Sequence, residues 1–87
     1  MSEPPGESFP CEFPLKVIGR GRDELQAAAS AIIERHMGPL APGRLSARAS
    51  RDGNFVALTY TVLAHSRTQL DAVYRELTAC EAVLMAL

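Results

Sequence analysis

From Glu12 to Ile18 apolar and polar residues alternate, Phe13, Leu15 and Val17 standing between Glu12, Pro14 and Lys16. This is the period of a strand with one buried face. Pro14 has no backbone donor, so the strand must place it where no ladder bond is required. Past Gly19 and Gly21 the period changes. Leu25, Ala28, Ala29, Ile32 and His36 recur at helical spacing, while Glu24, Gln26, Glu34 and Arg35 lie mostly elsewhere on the wheel. The helix stops at "HMGPLAPG", where Gly38 suits a left-handed cap and Pro39 cannot continue it.

Alternation then returns. Leu45, Ala47 and Ala49 stand between Arg44, Ser46, Arg48 and Ser50, which predicts a second strand. The pair Asp52-Gly53 suits a tight hairpin, whose central residues need positive φ. A third strand follows, with Val56, Leu58, Tyr60 and Val62 alternating with Ala57, Thr59, Thr61 and Leu63. Ser66, with Gln69 three residues on, predicts the capped start of a second helix, whose buried stripe is Leu70, Val73, Tyr74 and Leu77. The segment "CEAVLMAL" reads as a final strand.

The order strand, helix, strand, strand, helix, strand is supported by a weak internal repeat at an offset of 45. Val17 and Ile18 lie over Val62 and Leu63, Arg22 over Arg67, Leu25 over Leu70 and Ala27 over Ala72. Two βαβ halves with right-handed crossovers give an α+β fold: the ferredoxin-like βαββαβ arrangement, a four-stranded antiparallel sheet with two helices on one face. The first ten residues, with three prolines, a glycine and two glutamates, read as a flexible tail, leaving residues 11–87 as one domain.

Composition narrows the function classes. With 47 % hydrophobic and 22 % charged residues, the 87-residue chain reads as globular, and its net charge of −1 gives no bulk attraction to nucleic acid or acidic membrane. No apolar run approaches the roughly 20 residues of a membrane helix, and the first residues lack the basic and apolar regions of a secretory signal. A cytoplasmic location is therefore expected. Cys11 and Cys80 are expected as reduced thiols at opposite ends of the sheet: six strand residues span about 20 Å, and a disulfide needs Cα atoms within about 7 Å.

The same topology gathers the loop after strand one, the hairpin and the start of strand four at one end. There "GRGRDE" offers two glycines but Glu24 where a dinucleotide fingerprint needs a third, and it lacks the GK[ST] of a phosphate loop. A milder reading stands, a helix N-terminus flanked by Arg20 and Arg22, with Arg51 near, that holds a small anion or carboxylate. Asp23, Glu24, Asp52 and Glu81 crowd the same end. His36 and His65 fall at the other end with no third ligand, paired carboxylate or nucleophile, so neither metal, cofactor nor enzymatic chemistry is expected. Strand three, "GNFVALTY", lacks the aromatic spacing of an RNA-recognition strand, and "GRGRDEL" lacks the glycine-rich motif of acylphosphatases.

The residues "FP" at Phe13-Pro14, "KVIG" at Lys16 to Gly19, "RH" at Arg35-His36, "SRDGNF" at Ser50 to Phe55, "VYREL" at Val73 to Leu77 and the terminal "VLMAL" resemble the YbeD family of small bacterial proteins of unknown function. That family is in turn similar to the ACT domain, a ferredoxin-like regulatory module that binds amino acids beside the loop after strand one, commonly between paired domains. What the resemblance implies is a non-enzymatic regulatory domain whose ligand, a small carboxylate or amino acid, meets Gly19 and Gly21, with Arg20, Arg22 and Asp23 as polar contacts. The loop departs from ligand-binding ACT domains in lacking their proline-glycine turn. The competing class is an adaptor without a ligand, which uses the open sheet face at Ile18, Phe55 and Leu63 to meet a second copy or another protein. A concave polar site at Gly19 to Asp23 would mark the first class, and an exposed apolar sheet patch the second.

Overall fold

The alternating segments become strands and the helical stripes become helices in a computed structural model that describes residues 9–41, 43–49 and 53–87. In chain order they are β1 (Cys11–Gly19), α1 (Arg22–Met37), β2 (Leu45–Ala49), β3 (Val56–Ala64), α2 (Arg67–Ala79) and β4 (Met85–Ala86). The sheet runs β2-β3-β1-β4 with every neighbouring pair antiparallel, the expected ferredoxin-like arrangement. The helices begin at Arg22 and Arg67, the spacing of the internal repeat. Of the expected tail, residues 1–8 lie outside the described residues, as do Ser50, Arg51 and Asp52 of the hairpin, where Gly53 has the positive φ of 75° that such a turn favours.

The core lies between the helices and the inner face of β3 and β1. Leu15 and Val17 from β1, Leu58 and Tyr60 from β3, Leu25 and Ile33 from α1, and Val73 and Leu77 from α2 are all fully buried. The buried stripe of α1 is Leu25, Ala29, Ile32 and Ile33, with Ala28 and His36 only half-buried at its margin. Tyr60 brings a hydroxyl into this core, and α1 satisfies it: the oxygen lies 2.8 Å from Ser30 Oγ and donates to Gln26 O at 3.4 Å. Burial raises the Tyr60 pKa, so the phenol stays protonated and able to donate.

Pro14 sits where the ladder makes no demand on it. Thr61, its partner on β3, donates its N–H to Arg44 O on the β2 side, so Pro14 and Thr61 exchange no bond. The Pro14 nitrogen faces the β4 side, beyond the last rungs that join Lys16 and Leu87.

Two strands differ from the sequence expectation in depth and extent. Ala47 and Ala49 of β2 lie on the same face as Leu58 and Val56, yet both are exposed, because the helices lie over β3, β1 and β4 and leave this edge uncovered. β4 is shorter than "CEAVLMAL" suggests. Residues 80–83 close a turn, with Val83 N–H on Cys80 O at 3.1 Å, before Leu84 N–H joins β1 at Ile18 O.

Candidate functional site

The loop from β1 to α1 turns on two glycines with different reasons. A Cβ on Gly19 would stand 2.6 Å from Ala82 O and 2.9 Å from Leu25 Cδ1, so only a glycine lets the turn after α2 pack against the end of β1. Gly21 has an ordinary extended conformation (φ −102°, ψ 120°), and the nearest atom to a Cβ there would be Glu24 Oε1 at 3.4 Å. Sterics and dihedrals therefore do not explain Gly21. Its place in the fold does: it is the N-cap of α1 and has no side chain with which to cap it.

The internal repeat supplies the comparison. Forty-five residues on, the N-cap of α2 is Ser66, whose Oγ accepts from Gln69 N–H at 3.1 Å while Gln69 Oε1 accepts from His65 N–H at 2.7 Å. That is a complete capping box. In α1 the matching positions are Gly21 and Glu24, so the first-turn N–H groups lack the cap that their counterparts have and present the positive end of the helix dipole.

This helix start opens on a hollow of about 260 Å³ lined by Arg20, Gly21, Glu24, Glu81, Ala82 and Leu84. The five predicted site residues divide around it. Arg20 and Gly21 line the hollow, Gly19 is buried behind it, Arg22 opens α1, and Asp23 lines a shallower depression with Gln26, Ala27 and Ser30. Glu24 and Glu81, expected from the sequence as charges opposing the arginines at this end, are walls of the hollow. The hollow thus joins one guanidinium, an uncapped helix start and two carboxylates. Arg20 also reaches across the end of the sheet, with its guanidinium 5.8 Å from the centre of the Phe55 ring.

At the opposite end the Gln69 side chain joins the backbones of the two histidines. His36 Nε2 lies 2.5 Å from Glu76 Oε1, Arg35 bonds the other oxygen of the same carboxylate, and Gln69 Nε2 donates to His36 O. The hydrogen bond from His36, aided by the charge of Arg35, holds the Glu76 carboxyl below its ordinary value. This cluster ties α1 to α2. Among the described residues no group of His, Cys, Asp or Glu is arranged to hold a metal ion, and both cysteines are free thiols. A second hollow of similar size lies at this end between Met37, Leu40, Arg44 and Leu63, but its one guanidinium is already bound to Glu12 Oε2 at 2.6 Å.

The predicted interaction face also divides. Ile18 and Phe55 share one corner of the outer sheet face, whereas Leu63, paired with Glu12, lies at the far end beside the second hollow. Met85 and Leu87 join the first corner and are each more than half exposed. Strand four is expected to share this face with Phe55, and the register singles out Met85 and Leu87 within it, which so short a strand gives no alternation to identify. No described helix is long and apolar enough to cross a membrane.

Residues 5–87 match the family described as "Protein of unknown function (DUF493)". A UPF0250 protein of Chromobacterium violaceum is 43 % identical over 79 residues, covering 91 % of this chain and 89 % of its own. One from Vesicomyosocius okutanii is 33 % identical over 76 residues, covering 87 % and 83 %. These relatives bear out the resemblance to the YbeD family. Among solved structures, protein HP0495 of H. pylori superposes with a TM-score of 0.76 at 15 % identity over 99 % of this chain and 90 % of its own. The C-terminal domain of the MgtC protein of Mycobacterium tuberculosis gives 0.66 at 17 % identity over 93 % and 88 %. At these identities the likeness speaks for the fold alone.

Proposed function

The chain belongs to the DUF493 family of proteins of unknown function, so its role has to be read from its own chemistry, and we propose that it is a non-enzymatic regulatory domain binding a small amino acid in the hollow at the start of α1. The observation that carries this reading is the uncapped helix N-terminus opening on that hollow, beside an identical position in α2 that is capped. A ligand carboxylate supplies what Gly21 cannot, accepting from first-turn N–H groups with Arg20 alongside. The acidic walls select within the carboxylates. Glu24 and Glu81 repel a simple anion and attract an ammonium group, so a zwitterion fits the lining better than acetate or phosphate does.

Amide-shift titration of the labelled protein with a pool of the twenty amino acids, and separately with acetate, propionate and phosphate, tests the reading. The amino acids should give saturable shifts at residues 20–24 and 81–84 at millimolar concentration, with Glu81→Gln weakening them about tenfold through loss of the ammonium contact. Equal binding of simple carboxylates, or an unchanged response in Glu81→Gln, would contradict it.

A further inference from the structure

The outer face of the sheet carries an excess of positive charge. Lys16, Arg20, Arg44 and Arg48 face it, and its one described carboxylate, Glu12, is bound to Arg44. Lys16, Arg20 and Arg48 meet no carboxylate among the described residues. The other acids of the described chain lie on the helices and the turn after α2: Asp23, Glu24, Glu34, Asp71, Glu76 and Glu81. A chain of net charge −1 therefore presents a basic sheet.

Apolar side chains run between these cations. Strand register places Arg48, Ala57, Ile18 and Met85 in one row across all four strands, with Lys16 and Leu87 paired in the next row and Phe55 beside Arg20 in the row before. Met85 and Leu87 are 51 % and 56 % exposed and Phe55 40 %, so the corner is an apolar strip open to solvent with cations on its flanks.

We propose that this strip docks an acidic amphipathic helix of a partner protein. Sheet neighbours are about 4.8 Å apart and a helix with its side chains is about 10–12 Å across, so one helix covers the width that Ala57, Ile18 and Met85 span. Its apolar ridge meets them, and glutamates or aspartates beside the ridge meet Lys16, Arg48 and Arg20. A second copy is the poorer occupant, because a two-fold axis through this face sets unbalanced cations against one another. Single-stranded nucleic acid is poorer too, since stacking calls for aromatic platforms and all but Phe55 of the strip is aliphatic. Lys16 and Arg48 do not line the hollow, and Arg20 alone belongs to both readings.

Two synthetic helical peptides of fourteen residues test it, each with a leucine ridge at helical spacing, one flanked by glutamates and the other by lysines. The glutamate peptide should shift the amides of Lys16, Ile18, Arg48 and Ala57. The double variant Lys16→Glu with Arg48→Glu, both exposed and outside the core, should bind it about tenfold more weakly and turn preference to the lysine peptide. An unaltered thermal midpoint shows that the variant remains folded. Equal binding of both peptides, no binding of either, stronger shifts at the same residues from a uridine oligonucleotide or phosphatidylglycerol vesicles, or a free protein that sediments as a dimer with these residues covered would each overturn the proposal.

Discussion

At the scale of single residues, two glycines two positions apart have opposite work. Gly19 is needed for its size, since any Cβ runs into the Ala82 carbonyl, and backbone cannot step aside as a flexible side chain can. Gly19→Ala should lower stability by about 1–3 kcal/mol, as overpacking does. Gly21 has room for a Cβ and an ordinary φ, but alanine is a poorer N-cap than glycine, so Gly21→Ala should cost about 0.5–1 kcal/mol, less than Gly19→Ala. Chemical denaturation of the two variants checks the contrast. Similar losses at both positions would return Gly21 to a purely structural role.

Among the elements, the join between α1 and α2 carries a pH signature. The folded chain holds Glu76 below its ordinary value of 4.5, so the stability it contributes is fully present above that value and is lost as pH falls through the folded-state pKa. Glu76→Gln should melt below the wild type at pH 7, and the gap should close below pH 4.5, measured as thermal midpoints by circular dichroism. This join is invisible in sequence pattern because it depends on how one helix lies against another. What pattern does report is visible in β3, where Val56, Leu58, Tyr60 and Val62 face inward as their alternation predicts. Alternation names a face but not its depth: Ala47 and Ala49 take the inner face of β2 and remain exposed because no helix reaches that edge. "CEAVLMAL" shows the converse, an apolar run whose first part is spent on a turn because Ala82 must meet Gly19.

For the molecule as a whole, the ferredoxin-like topology brings the ends of distant segments together. The hollow is built from Arg20, Gly21 and Glu24 with Glu81, Ala82 and Leu84, and the basic sheet from cations spread between Lys16 and Arg48. The glycine loop is legible as a candidate site, since it stands out locally, whereas the walls Glu81 and Leu84 acquire meaning once β4 is placed beside β1. Arg20 touches both the hollow and the aromatic corner of the sheet. The proposed site depends on Gly21, which leaves the start of α1 uncapped. The most direct measurement is a paired amide-shift titration of the wild type and Gly21→Ser with the same amino-acid pool, because serine installs the cap that α2 already has. Saturable shifts at residues 20–24 and 81–84 are expected in the wild type and should be lost in the variant, which should be more stable by a few tenths of a kcal/mol. An identical response in both proteins, or none in the wild type at millimolar ligand, would contradict it.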